Sequence, residues 1–307
     1  NEVRNPGMFD AKKFYKTKDI YYYCVLRCEK VRYCGKSYNY IYYYSYKIKK
    51  YLVKIIDNNV SDIESASIIK SIVIGDRSQL DLSIKELYSR LGITHVLAIS
   101  GLHTGIIYMV LNFIFGIFFS KNFKTKYQFI IIFFIWLYVY ITGLSVSAQR
   151  AALMITVFII SYYHTKLYYT FNSLLLSAFI LLLKNPYILY DISFELSFMA
   201  VVGIIFINPL LYRFLEFKYD KINIIKYLKS SIIVTISATL MTFPLILYYF
   251  HKFSPLLLLS NIIVVSIVPI IIFGGILIFV FQLFDIGNLI GLCLSESIRV
   301  INNFLRL

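Results

Sequence analysis

From residue 96 onward the chain is a succession of apolar runs, roughly 96–119, 127–143, 148–163, 169–183, 193–212, 230–250 and 255–284, parted by short polar loops. Each approaches the ~20 residues that a helix needs to cross the hydrocarbon core of a bilayer. Backbone amides find no water there, so runs of this kind must be helices. The last run is long enough for two segments, broken near Pro269 or at Gly274-Gly275. A further stretch, 288–305, carries Glu296 and Arg299 and suits a helix lying on the surface. Composition agrees. At 59% hydrophobic and 15% charged, the chain is too apolar for a soluble domain, which averages about 45–50% and about 25%, and too apolar to stay disordered. Four cysteines in 307 residues exclude a disulfide scaffold. The sequence therefore predicts an all-α polytopic membrane protein of about seven or eight spans.

Charge is unevenly placed. The formal net charge is +15, and residues 1–95 hold 17 of the 31 basic and 10 of the 16 acidic residues. A basic, half-polar segment thus precedes the membrane domain, which divides the chain into 1–59, 60–92 and 93–307. Residues 20–56 alternate Tyr, Val and Ile with polar residues, a period that suits strands. Residues 60–92 place Ile63, Ile68, Ile69, Ile72, Ile74, Leu82, Leu87 and Leu91 on the apolar faces of amphipathic helices. These are too charged to span and are expected at the membrane interface, against lipid. Among the later loops, Lys121, Lys124 and Lys126 fill the first, Lys166 the third, and Arg213, Lys218, Lys221, Lys226 and Lys229 the fifth, whereas 144–147 has no charge. The positive-inside rule puts those basic loops in the cytoplasm and residues 1–95 outside, since long segments translocate largely regardless of charge. The chain opens on Asn1 without a signal-peptide pattern, and reads as a piece of a longer product.

Three constellations hold polar groups at the ends of apolar runs. His95-Val-Leu-Ala-Ile-Ser100-Gly101-Leu-His103 sets Ser100 and His103 three apart, hence on one helical face. They fit either a nucleophile with its base or polar residues packing a helix start around a glycine, and no nearby carboxylate orients the imidazole. Thr142 to Ala151 puts Gln149 and Arg150 near the start of a span. A charge well inside the bilayer costs about 2.5–3.5 kcal/mol on insertion scales and faces a partner or a cavity. Glu195 is the obvious partner, so the alternatives are a structural Arg150–Glu195 pair and a polar lining for a charged substrate. Tyr33 to Tyr51 interleaves rings with Lys36, Lys47, Lys49 and Lys50, as single-stranded nucleic acid or a membrane interface would favour. His95, His103, His164 and His251 make no ligand cluster, and Gly35-Lys36-Ser37 lacks the phosphate-loop glycine, Lys30 standing in its place. No metal, nucleotide or other cofactor is expected.

Several strings together resemble the membrane competence domain of the ComEC-type DNA-uptake channels. They are Gly75-Asp76-Arg77-Ser78, Gly92 through His103, Thr142-Gly143 through Arg150-Ala151, Asn185-Pro186 with Phe194-Glu195-Leu196-Ser197-Phe198, and Thr242-Phe243-Pro244 followed by Asn261. The order matches the family over roughly 64–284, and the signature over 92–103 is the specific one. Arg4 to Asp10 looks like the segment following the first strands of the family's external OB-like domain, which makes 1–59 a remnant of that β domain and the chain incomplete at both ends. The family usually has Gln at the position of Glu195. Many members also carry a C-terminal metallo-β-lactamase-like domain; the sequence in hand stops at Leu307, so no nuclease role is carried over and the chain is expected not to be an enzyme.

The resemblance implies a channel for single-stranded DNA through the cell membrane during natural transformation. Its path is expected to be lined by His95, Ser100, His103, Gln149, Arg150 and Glu195, with Asp76 and Arg77 at the entrance. Importing each phosphate against an inside-negative potential costs roughly 2.3 kcal/mol per charge per 100 mV. Without a nucleotide site the chain needs a cytoplasmic ATP-driven DNA translocase, besides an external DNA-binding receptor; a homo-oligomer is an open partner class. Competing readings are a small-solute or ion-coupled transporter working through Glu195 and Arg150, an intramembrane hydrolase built on Ser100 and His103, and an inactive remnant of a channel.

Overall fold

The computed structural model describes residues 15–16, 40–120, 123–164, 170–214, 223–251, 254–282 and 287–306. Among them there is no strand. Helix α1 (Tyr40–Asn59) replaces the strands expected up to residue 56. The alternation resides in the tyrosines, whereas the residues that become inner, Ser45, Lys49, Leu52 and Ile56, recur every three or four positions, the helical period. Ser45 Oγ donates to the Tyr140 carbonyl at 2.8 Å and Lys49 Nζ to the Gly75 carbonyl at 3.0 Å. Tyr40, Tyr43, Tyr44, Tyr46 and Tyr51 are exposed. The remainder of the expected OB-like remnant, 1–14 and 17–39, lies outside the described residues.

Helix α2 (Ile63–Ile69) starts on Asp62, whose carboxylate accepts from the Ser65 amide at 3.0 Å. It runs into a π-helical turn, Lys70–Ile74, that ends on Gly75 in the left-handed region, φ +73°. The segment 60–92 was expected on the membrane surface, yet every residue from Ser65 to Ile74 is buried. It is wedged among α1, α10 (Leu257–Phe281) and α11 (Gly287–Arg306). Charge at its ends hid an apolar middle. Helix α3 (Leu82–Arg90) follows, buried through Ile84 and Tyr88.

The apolar runs become α4 (Gly101–Phe118), α5 (Lys124–Ile141), α6 (Val146–His164), α7 (Thr170–Lys184), α8 (Ile192–Phe214), α9 (Asn223–Phe250) and α10. Among the described residues four segments are long and apolar enough to cross a bilayer: α4, α8, Lys229–Phe250 of α9 and Leu259–Phe281 of α10; the apolar parts of α5, α6 and α7 are shorter. Helix α10 is not broken. It runs through Pro269, and its two glycines serve contact instead: a Cβ on Gly274 would stand 2.6 Å from Leu294, and one on Gly275 2.6 Å from Val73. The stretch 288–305 forms α11, with Leu294, Ile298 and Leu305 buried. One core joins α1–α4 with α10 and α11, a second joins α4–α6, and a third joins α7 to α8. Helix α9 lies along α8, with Gly203 against the Ser237 carbonyl.

Candidate functional site

Left-handed glycines end the elements that lead into the site. At the end of α5, Gly143 (φ +92°) lets the Leu144 amide reach back to the Val139 carbonyl at 2.9 Å and its own amide to Tyr140 at 3.2 Å, a Schellman close. Leu144 is itself left-handed, φ 56°, and the Gln149 side-chain amide donates to its carbonyl. Gln149 is thus committed to the turn. A Cβ on Gly75 would stand 2.8 Å from Ile99 and 3.5 Å from the Thr142 carbonyl, so the ends of the π-turn, of α5 and of the segment before α4 meet in one place.

Between α3 and α4 the chain makes a 3₁₀ turn, Thr94–Leu97, whose last carbonyl accepts from Ser71 Oγ at 2.8 Å and Arg77 Nε at 2.9 Å. Burial lowers the pKa of Lys49, the neighbouring Asp76 pulls it back up, and Arg77 lowers it further, which places α1 beside the expected entrance. Asp76 accepts from the Ser78 amide at 3.1 Å. His95 is exposed and sits beside Asn261 of α10, which donates to Thr235 of α9 at 3.1 Å.

Ser100 begins α4. Its amide donates to His103 Nδ1 at 3.2 Å, and its Oγ lies 2.9 Å from the same nitrogen. With Ser100 Oγ also accepting from the His103 amide, the pair forms a capping box. His103 is fully buried, with His95 and Arg77 close enough to act on its charge and the Val96 backbone at its edge; Nε2 has no aligned hydrogen-bond partner.

Arg150 is 6% exposed. The expected pair with Glu195 is absent. The guanidinium donates through Nη1 to the Ser197 carbonyl and its centre lies 5.6 Å from the Phe198 ring, while Nε has no partner. On the α4 side, a Cβ on Gly101 would stand 2.6 Å from Nη2. Glu195 engages Tyr249 of α9 instead. One residue of helix turns the side chain by about 100°, so the rotation that presents the Ser197 carbonyl to α6 carries Glu195 away. Ser147 Oγ, 3.2 Å from Ser197 Oγ, fixes that rotation.

Of the eight residues expected along the path, Arg77, His95, Ser100 and His103 therefore gather at the 3₁₀ turn, with Asp76 next to Arg77. Arg150 reaches the same helix start from α6. Gln149 and Glu195 serve other contacts. Sequence reasoning missed Ser71, Asn261 and the Ser197 carbonyl as site groups; Ser71 carried a signal, a hydroxyl inside the apolar stretch Ile68–Ile74. It also missed the buried Lys70, held by Asp57 at 2.5 Å and by Gln79. Among the described residues no group of three His, Cys, Asp or Glu could hold a metal.

A bundle of long apolar helices that gathers its buried cation and imidazole at one internal helix start is a helical membrane protein with an interior polar site. The chain belongs to the competence protein family, whose domain matches residues 72–307, in agreement with the resemblance carried by the strings from Gly75 to Asn261. It is similar to ComE operon protein 3 of Bacillus subtilis (strain 168), 29% identical over an alignment of 265 residues that covers 83% of this chain and 31% of that protein. The chain thus spans under a third of the curated relative's length. No solved structure matches it.

Proposed function

We propose that this chain is the membrane core of a conduit that passes single-stranded DNA across the cell membrane during natural transformation. One observation carries the reading: family strings distant in sequence, at 75–77, 95–103, 142–150 and 197–198, meet around the start of α4 and leave buried donors there, with no carboxylate among the described residues bound to Arg150. A strand whose every repeat bears a phosphate supplies the missing acceptors. Membership of the competence family supports the same reading. The proposal includes seven or eight crossings with the N-terminal region outside, a cytoplasmic ATP-driven translocase, an external DNA receptor and no catalysis by this chain. The ion-coupled alternative loses its coupling pair, because Arg150 and Glu195 do not touch. The hydrolase alternative finds Ser100 and His103 hydrogen-bonded, but as a helix cap without an orienting carboxylate.

The test is uptake of labelled single-stranded DNA into a nuclease-protected compartment. Cells carrying the intact locus, a deletion, and the deletion complemented with the intact gene bearing Arg150→Ala or His103→Ala are compared. We expect loss of uptake in the deletion and a drop of at least about tenfold in each variant, at equal protein in the membrane. Unchanged uptake in the deletion would sink the conduit reading.

A further inference from the structure

We infer that Arg150 and the first turn of α4 form a seat for one phosphodiester of the passing strand. The inference rests on the conduit reading above and assigns it a specific contact. The unmatched polar atoms of Arg150 and His103, Nε and Nε2, both carry hydrogens to donate, whereas Asn261 Oδ1, beside His95, is an unmatched acceptor. A backbone N–H can only donate, so the Ser100 amide makes His103 Nδ1 an acceptor, and the neutral ring carries its proton on Nε2, buried beside the Val96 backbone but with no acceptor in hydrogen-bond alignment. Arg150 Nε–H is likewise buried and unpartnered. The amides of Gly101 and Leu102 belong to the first turn of an 18-residue helix, where backbone N–H groups have no intrahelical acceptor.

Electrostatics point the same way. The N-terminus of α4 carries positive partial charge, and Arg150 Nη2 is packed against Gly101 at that end. A guanidinium and a positive helix end are held together here, and among the described residues the acceptor on the guanidinium is a neutral carbonyl, that of Ser197. An oxyanion set at the turn would relieve both at once, since helix N-termini bind anions through their free amides and guanidinium binds phosphate through two parallel N–H donors. Gly101 is the residue that admits the guanidinium to this helix end, because any side chain there would occupy the space of Nη2.

The test uses the full chain in phosphatidylcholine nanodiscs and a short oligothymidylate, titrated over a range of salt concentrations. Wild type, Arg150→Gln and Arg150→Lys are compared, each also with a methylphosphonate oligomer whose backbone is uncharged. We expect Arg150→Gln to weaken binding about tenfold or more and to reduce the log–log salt slope by about 0.7, the value for one phosphate contact on a single strand. Arg150→Lys should keep the slope, and the uncharged oligomer should not distinguish wild type from Arg150→Gln. An unchanged salt slope in an Arg150→Gln protein that unfolds at the wild-type temperature overturns the seat and leaves the conduit reading standing. Displacement of the oligomer from wild type, but not from Arg150→Gln, by added phosphatidylglycerol overturns it too, by assigning the seat to lipid. If wild type binds no oligomer at all, the conduit reading falls together with the seat.

Discussion

Lys70 is the most deeply buried lysine of the amino-terminal helices, its side chain 4% exposed, whereas its partner Asp57 keeps 43% of its side chain in contact with the surroundings. That asymmetry decides what each substitution does. Removing Asp57 strands a buried ammonium with only Gln79 to hold it, and breaking a pair from that side is costly. Removing Lys70 frees a carboxylate that already reaches the surface. Asp57→Ala should therefore destabilise by about 2 kcal/mol or more, and Lys70→Met, which keeps the volume, by less than about 1.5 kcal/mol. Thermal unfolding of the two variants in detergent checks the order, and equal losses would show that the pair is not what holds the π-turn. Arg150 poses the same physics without a carboxylate, its guanidinium donating to the neutral Ser197 carbonyl, and the proposed phosphate seat would supply the missing counter-charge.

Helix pairs are set by the small residues between them, since association inside a bilayer depends on close packing more than on apolar transfer. Helices α8 and α9 approach so closely at Gly203 that a Cβ there would collide with the Ser237 carbonyl and stand 3.0 Å from Met241. Gly105 of α4 has open space around the same position. Gly203→Ala should lower the unfolding temperature by an amount corresponding to about 1–3 kcal/mol, because backbone must move to admit it. Gly105→Ala should be neutral or stabilising by up to about 1 kcal/mol, alanine being the better helix former. A matched loss in both variants would mean that the α8–α9 contact is not close. Gly274 and Gly275 carry the same lesson, for residues that suggested a broken helix prove to be the faces on which α11 and the π-turn rest.

For the whole molecule, the number of crossings sets on which side each loop lies. With α5, α6 and α7 all crossing, Phe123 and Ser193, both exposed, fall on opposite sides. With the native cysteines replaced, an impermeant thiol reagent should label Ser193→Cys in intact cells and Phe123→Cys only after permeabilisation. Labelling of both in intact cells would show that one of the three does not cross, and α7 is the shortest at 15 residues. The sequence by itself determined where the apolar helices from α4 to α10 lie, though not α1: the run read as 193–212 is Ile192–Phe214, and that read as 230–250 lies within Asn223–Phe250. It could do so because an apolar environment forces backbone hydrogen bonds to close within the segment, which makes the helix a local property. It also marked the strings that meet at α4, from Gly75-Asp76-Arg77 to Phe198. Only the tertiary structure decided what those strings touch. Arg150 selects the Ser197 carbonyl over the Glu195 carboxylate two residues earlier, a choice made by the rotation of α8. The segment from Ser65 to Ile74 is enclosed because α1, α10 and α11 close around it. Partners across helices depend on rotation and on close approach at single glycines, and neither is written in the hydrophobic period of any one segment.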